Sequence, residues 1–295
     1  RLIASETKGR TATIEDAEDL IEGLSERLGV PGHAVPAFED PGYWILKEGD
    51  LPINVDPSDP KLEDPEARAR MLRVFERGLD QPSGFVLPIQ AWNSGARQRW
   101  QSERWGFRRG KLFLVPGDSP VGYRLPLGAL PWVPPAAYPF HFPQDPSEPR
   151  GPLPKAEALA QAARRSTNRE AERLLNVEQE IGTGAVRTAL AIEPRDGVLC
   201  VFMPPTERLE DYLELLAMIE ATAEDLALPV HVEGYAPPVD QSQSVGKVTP
   251  DPGVIEVNIH PARSWPEQVH ITETVYEEAR QLGLDASTFE LDGRP

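Results

Sequence analysis

The chain has 295 residues, a formal net charge of -17 and a single cysteine. This length allows one large domain or two modest ones. Because so acidic a surface disfavours contact with a phosphate backbone, we expect no nucleic-acid partner. No apolar stretch approaches the roughly 20 residues that span a bilayer, and no signal peptide is visible, so we expect no membrane partner.

A single cysteine excludes an internal disulfide and is typical of a reducing compartment, so the sequence predicts a cytoplasmic protein. Cys200 lies within the apolar run 198–203. A cysteine in such a run is usually buried and inert, and we interpret Cys200 in this way.

Two helices in the first half have clear boundaries. Thr13 and Asp16 predict a capping box for a helix that ends near Leu28. A second helix is predicted over 65–77, because a proline opens it and Gly78 follows its last residue.

The remainder of the first half favours strands. Apolar residues run together over 43–47 and 84–89, which predicts a strand in each. Residues 102–107 and 111–115 predict a basic β-hairpin.

A proline-rich stretch over 131–154 predicts a linker or an extended surface loop. We therefore place a domain boundary there. Residues 1–150 would form an α+β region that contains the basic hairpin, and residues 151–295 a sheet region that carries carboxylates.

The second half alternates helices and strands. Helices are predicted over 155–180, 206–226 and 264–283, and strands over 186–193, 198–203, 229–234 and 254–260. The first two strands form a hairpin, because Asp196-Gly197 is a typical two-residue turn.

Three of these strands place a carboxylate on the face opposite their apolar residues. Strand by strand, these polar faces carry Arg187 and Glu193, then His231 and Glu233, then Glu256, Asn258 and His260. If the three strands pair in one antiparallel sheet, the carboxylates can converge. The alternative is a sheet with one solvated face, on which these are ordinary surface residues.

Spacing limits what the third strand can bind. A strand rises about 3.3 Å per residue, so Glu256 and His260 lie roughly 13 Å apart and cannot share one ion. Glu256 and Asn258 are roughly 6.6 Å apart and can reach one ion or two adjacent ions. Oxygen ligands of this kind suit Mg²⁺ or Mn²⁺ rather than zinc.

Basic residues gather between residues 97 and 124 of this acidic chain, interleaved with tryptophans. They are Arg97, Arg99, Arg104, Arg108, Arg109, Lys111 and Arg124. Such a patch can bind phosphate or carboxylate, or it can dock against an acidic surface elsewhere in the protein. For Lys47 the local sequence favours a turn, with a phosphate contact as the alternative.

Three segments, over 47–57, 114–127 and 248–261, resemble a bacterial amidoligase family. The strings that carry the resemblance include Leu51-Pro52-Ile53-Asn54-Val55-Asp56-Pro57, Pro116-Gly117-Asp118-Ser119-Pro120-Val121-Gly122-Tyr123-Arg124 and Pro252-Gly253-Val254-Ile255-Glu256-Val257-Asn258-Ile259-His260-Pro261. The resemblance covers essentially the whole chain. Family members usually lie C-terminal to a transglutaminase-like domain, which is therefore an expected partner within a longer chain.

The resemblance implies an α+β fold of the glutamine-synthetase type, with an antiparallel sheet and packed helices. It implies a ligase that uses ATP and Mg²⁺, or Mn²⁺, to phosphorylate a peptide or amino-acid carboxylate, after which an amine displaces the phosphate. We expect the metal to be held by Glu193, Glu233, Glu256 and Asn258, ATP to be contacted by Lys47 and Arg124, and Arg187 and His260 to serve in catalysis.

The resemblance also implies that the family continues past residues 291–294 into a glycine-rich segment with a histidine. We therefore expect a segment of a longer protein that is catalytically incomplete by itself. Two other functions remain open from the residues alone. One is a peptide-binding or scaffolding region without catalysis, and the other is a metal-dependent amide hydrolase.

Overall fold

The computed structural model describes residues 11–51, 59, 65–91, 100–107, 111–116, 123–124, 145, 151–166, 186–240, 246–251, 254–281 and 283–284. The chain divides into two compact units. The large unit is Arg10–Val239, and the small unit consists of Arg1–Gly9 with Asp240–Pro295.

The described part of the large unit contains five helices and nine strands. The helices are α1 (Ile14–Arg27), α2 (Pro41–Gly49), α3 (Pro65–Arg77), α4 (Ala156–Ser166) and α5 (Leu209–Leu226). The strands are β1 (Val35–Glu39), β2 (Gly84–Pro88), β3 (Gln90–Ala91), β4 (Trp100–Gln101), β5 (Leu112–Pro116), β6 (Tyr123–Arg124), β7 (Ala189–Arg195), β8 (Val198–Met203) and β9 (Val230–Gly234). The small unit contributes β10 (Lys247–Asp251), β11 (Val254–Asn258) and α6 (Trp265–Gln281). The predicted α+β class is confirmed.

The main sheet has the order β6-β5-β1-β2-β7-β8-β9, in which β6 is a two-residue edge strand. It is mixed rather than antiparallel, which corrects the prediction, because β5 runs parallel to β1 and β9 runs parallel to β8. The second parallel pair follows from α5, which returns the chain to the same end of the sheet before β9 begins. The glutamine-synthetase type of this sheet stays a prediction.

The three carboxylate strands do not share one sheet. Strands β7 and β9 lie on either side of β8 in the main sheet, whereas β11 pairs with β10 in a separate two-stranded sheet. The prediction of a single antiparallel sheet is therefore wrong for β11. Strands from both sides of residue 150 pair with each other in the large unit, as β2 does with β7.

Helices α1 and α5 cover one face of the main sheet. The packed side chains are fully or almost fully buried and include Leu20, Leu24, Leu190, Ile192, Leu199, Val201, Met203, Leu215 and Ile219. Burying each such side chain contributes about 1.5–3 kcal/mol relative to leaving it exposed, so this layer is the main source of stability.

Local signals fixed several elements as predicted. The Thr13 amide donates to the Asp16 carboxylate (2.9 Å) and the Asp16 amide donates to the Thr13 hydroxyl (3.3 Å), so the capping box of α1 is confirmed. Asp196 and Gly197 have positive φ angles of 50° and 82°, as the predicted tight turn between β7 and β8 requires.

Two predictions in the first half are wrong. Residues 43–47 belong to helix α2, because the Asp40 side chain accepts a hydrogen bond from the Gly42 amide (2.8 Å) and Pro41 opens the helix. The basic hairpin is absent from the described residues. Strand β5 pairs with β1 and β6 instead, and residues 105–107 form no strand.

One buried arginine of α1 forms hydrogen bonds with two other helices. The Arg27 guanidinium, at the end of α1, donates to the Thr222 hydroxyl of α5 (3.0 Å), to the Ala163 carbonyl of α4 and to the Asp225 carboxylate. Only 2% of the Arg27 side chain is exposed. These hydrogen bonds therefore offset the free-energy cost of burying its positive charge.

We expect Arg27→Met to lower the free energy of unfolding by about 3 kcal/mol, because two buried acceptors lose a charged donor. The matched control is Arg164→Met, which removes an exposed ion pair between α4 and α5 and should cost about 0–1 kcal/mol. Urea denaturation measures both. Equal losses in the two variants would contradict this role for Arg27.

The single cysteine is buried in strand β8, as predicted, with 2% of Cys200 exposed. Burial raises the pKa of the Cys200 thiol to about 11. The positive charge of Arg195 opposes this shift, and the carboxylates of Glu233 and Glu193 add to it.

We expect Cys200 to react slowly with a disulfide reagent in the folded protein and rapidly in urea. At pH 8 a thiol with a pKa near 11 contains about two orders of magnitude less thiolate than one with the usual value. The rate in the folded state should rise with pH, since the thiolate is the nucleophile. Cys200→Ser gives the background, and equal rates in folded and unfolded protein would refute the interpretation.

Candidate functional site

The face of the main sheet opposite α1 and α5 changes character from one side to the other. Near β1, β2 and β5 it is apolar, and Trp105 packs there against Ala37, Val86, Leu112 and Leu114. On β7 and β9 it becomes polar, whereas β8 between them contributes Val198, Cys200 and Phe202 to this face. This polar end is the candidate site in the large unit.

Register places the polar side chains on this face. Glu193 of β7 pairs with Cys200 of β8, and Cys200 pairs with His231 of β9. Alternation along each strand adds Arg195 and Glu233 to the same face. The predicted shared faces of β7 and β9 are therefore confirmed in the described residues.

Arg195 joins the two predicted metal-binding carboxylates of the large unit. Its Nη1 atom lies 2.7 Å from Oε1 of Glu193 and 3.1 Å from Oε1 of Glu233. Its Nη2 atom donates to Oε2 of Glu233, so Glu233 is held by both terminal nitrogens. We call these three residues the Arg195 triad.

The triad is shielded from solvent. The exposed fractions are 11% for the Glu193 side chain, 16% for Glu233 and 21% for Arg195. Burial alone would lower the pKa of Arg195, but the hydrogen bond that Arg195 donates to Glu233 and the negative charge of Glu193 outweigh burial and raise that pKa. The guanidinium is thus firmly charged, and the triad carries one net negative charge.

A third carboxylate, which is buried, lies on the same sheet face at the end of β1. Glu39 is 3% exposed and accepts a hydrogen bond from the Trp44 indole nitrogen (2.6 Å). Arg77 of α3 lies 3.1 Å from it, and Arg70 of the same helix 3.9 Å. Through these contacts Glu39 holds α2 and α3 against the sheet, so we assign it a structural role.

The predicted residues of the small unit form their own polar face. Glu256 and Asn258 are exposed on β11, and the Asn258 amide donates to the Glu256 carboxylate (2.7 Å). Their register partners on β10 are Thr249 and Lys247. The second carboxylate oxygen of Glu256 and the amide oxygen of Asn258 are therefore the atoms of this pair that suit a hard cation as ligands.

His260 follows β11 and lies beside an acidic partner. Its Nε2 atom is 3.8 Å from Oε1 of Glu267, near the start of α6. The other oxygen of Glu267 accepts a hydrogen bond from the Arg263 amide (2.6 Å), which fixes the carboxylate. At 3.8 Å the imidazole nitrogen lies close to this carboxylate but beyond hydrogen-bonding distance.

The remaining predicted site residues of the large unit belong to other elements than the triad or precede them. Lys47 is exposed on α2, with its ammonium 5.9 Å from the centre of the Tyr43 ring. Arg187 is half-buried and precedes β7. Arg124 lies in the edge strand β6, and its side chain is outside the described residues.

The metal ligands stay a prediction. In the part of the chain that the structure describes, no three His, Cys, Asp or Glu side chains gather closely enough to hold a metal ion. The structure brings Glu193 near Glu233 through Arg195, and Glu256 near Asn258. These two pairs belong to different units of the chain.

Sequence reasoning missed Arg195 and Glu39. Arg195 stands two residues after Glu193, so strand alternation already places the two on one face, and extending the predicted strand by two residues finds it. Glu39 had no comparable signal, because its partners Trp44, Arg70 and Arg77 come from two helices.

Among the described helices, none has the length and apolarity needed to cross a membrane. Comparison with curated protein sequences and with solved structures gave no match. A family model described as "Putative amidoligase enzyme" matches residues 1–295, the whole chain. The protein that carries the Arg195 triad therefore belongs to this amidoligase family.

Proposed function

We propose that the protein is a ligase that joins a peptide or amino-acid carboxylate to an amine and uses ATP with Mg²⁺ to do so. Family membership over the whole chain supports amide-bond formation. The observation that carries the placement of the site is the pair of Glu193, which is buried, and Glu233, which is partly buried, on one face of the main sheet around the positive charge of Arg195.

Glu193 and Glu233 supply shielded carboxylate oxygens, which are the type of ligand that a hard divalent cation prefers, and in the structure these oxygens are paired with Arg195. Within the small unit we propose Glu256 and Asn258 as ligands of a divalent ion, and we propose Mn²⁺ as an alternative to Mg²⁺. When bound, the metal neutralises charge on the phosphates of ATP.

The reaction needs two displacements. An oxygen of the substrate carboxylate attacks the γ-phosphorus of ATP, the bond to the β-phosphate oxygen breaks, and ADP leaves. The amine nitrogen then attacks the acyl carbon of the acyl phosphate, inorganic phosphate leaves, and the nitrogen loses a proton. We assign proton acceptance to His260 beside Glu267, and contacts to the anionic groups to Arg187, Arg124 and Lys47.

In the full-length protein we expect ATP to bind only with Mg²⁺, as measured by calorimetry. Glu193→Gln should weaken this binding about tenfold or more, because the metal loses a charged ligand. Glu220→Gln, an exposed carboxylate of α5, is the matched control and should bind as the wild type does.

Chemistry is tested separately with hydroxylamine as the amine. ATP-dependent formation of a hydroxamate from amino acids or short peptides is the expected result. Absence of nucleotide binding in the wild type would favour the scaffolding function instead. Metal-dependent amide cleavage without ATP would favour the hydrolase.

A further inference from the structure

Strand β9 forms one edge of the main sheet in the part of the chain that the structure describes. On its inner side it pairs with β8, and the Tyr235 amide donates to the Met203 carbonyl (3.2 Å). In a parallel ladder, alternate residues of a strand bond to the same neighbour, so residues 231 and 233 also direct their backbone groups to β8. The N–H and C=O groups of Val232 therefore point away from β8, towards the open edge.

This edge lacks two features that commonly prevent an edge strand from pairing with another strand. Natural edge strands often carry a lysine or a proline for this purpose. Strand β9 (Val230–Gly234) contains neither. Its one carboxylate, Glu233, is already paired with Arg195, so its charge is largely compensated. Another extended strand can therefore add to this edge.

An open apolar groove lies beside the edge, on the sheet face that α5 covers. It has a volume of about 560 Å³ and lies between α5, residues 227–229 and β9. Its apolar lining includes Leu216, Leu228, Val230 and Val232. Val232 is 41% exposed although its register partner on β8, Val201, is part of the buried core. A strand added to β9 would remove this apolar surface from water, which is favourable.

We propose that the partner of this edge is β9 of a second copy of the chain, paired antiparallel about a twofold axis at Val232. In this register Val232 lies opposite its own counterpart, and His231 of each copy lies opposite Glu233 of the partner subunit. The same patch serves on both copies, as a twofold interface requires. The inference goes beyond the proposed ligase function and does not depend on it.

The register suits the backbone and the side chains of β9. Because the backbone groups of Val232 point outward, the two copies can exchange both N–H to C=O bonds at this residue. His231 and Glu233 then form non-hydrogen-bonded pairs, in which opposed Cα atoms are only about 4.5 Å apart. The imidazole can donate to the carboxylate of Glu233, which has acceptor sites beyond those that Arg195 uses.

Other twofold registers are less favourable. A shift by two residues in either direction keeps the two faces of the sheet aligned, as the buried face demands. It would, however, place two Glu233 or two His231 side chains directly opposite each other. Like side chains of one charge in this position destabilise a strand pair. Charge complementarity therefore selects the register centred on Val232.

The first test is disulfide cross-linking of Val232→Cys in the full-length protein under mild oxidation. Opposed Cα atoms in a hydrogen-bonded pair are about 5.5 Å apart, a distance that a disulfide spans. We expect a covalent dimer to form about tenfold faster or more than in Val239→Cys, because pairing raises the effective concentration of the thiols. Val239 is 75% exposed and lies outside β9, and the wild type, in which Cys200 is buried, gives the background.

The second test is sedimentation equilibrium, which measures the same interface without a covalent bond. We expect the wild type to be a dimer at micromolar concentration. Val232→Lys should raise the Kd of the dimer about tenfold or more, because it places two ammonium groups opposite each other at the axis. Val239→Lys is the matched control and should dimerise as the wild type does.

A wild type that stays monomeric at these concentrations would overturn the proposal, also if the monomer binds an extended peptide along β9. A dimer that Val232→Lys leaves intact would overturn it as well, because that dimer uses another surface. If Val232→Lys does not fold, the cross-linking rate of Val232→Cys decides, and a rate equal to that of Val239→Cys contradicts pairing through β9. The ligase function stands or falls separately, by nucleotide binding.

Discussion

The large unit depends on the two-residue alternation of β7, β8 and β9. Leu190, Ile192 and Val201 point to the helices and build the core, so the residues between them must lie on the opposite face. That constraint places Glu193 and Glu233 where burial by the surrounding protein would be costly without a counter-charge. Arg195 meets this requirement from the same strand as Glu193.

Buried charges explain how other elements of the large unit are held. Glu39 accepts from Trp44 of α2 and pairs with Arg77 of α3, while Arg27 of α1 reaches α4 and α5. Unpaired, each of these charges would carry a large desolvation penalty, so the packing of the helices is specified by polar contacts as well as by apolar area. In a chain of net charge -17, arginine supplies these internal counter-charges.

Much of this could be predicted from the sequence where the signal was local. The Thr13 cap, the Pro65–Arg77 helix and the Asp196-Gly197 turn depend on residues within a few positions of one another. The parallel pairing of β5 with β1 could not be predicted in this way, because partners distant in sequence decide it. The polar faces of β7 and β9 were predictable from alternation, whereas the contact between Arg195 and Glu233 depends on the order of strands in the sheet.

In the small unit, the polar face of the β10–β11 pair lies opposite an apolar face that is exposed. On the opposite side of the β10–β11 pair, Val248 is 63% exposed, Ile255 48% and Val257 37%, and the described helix α6 buries none of its residues. A two-stranded sheet is marginally stable by itself, and it needs an apolar covering to hold its side chains in place. How well the side chains of Glu256 and Asn258 are held in place therefore depends on burial of the apolar face on the other side of these strands. Any role of these two residues as metal ligands is thus linked energetically to burial of Val248, Ile255 and Val257, because the same backbone carries both faces.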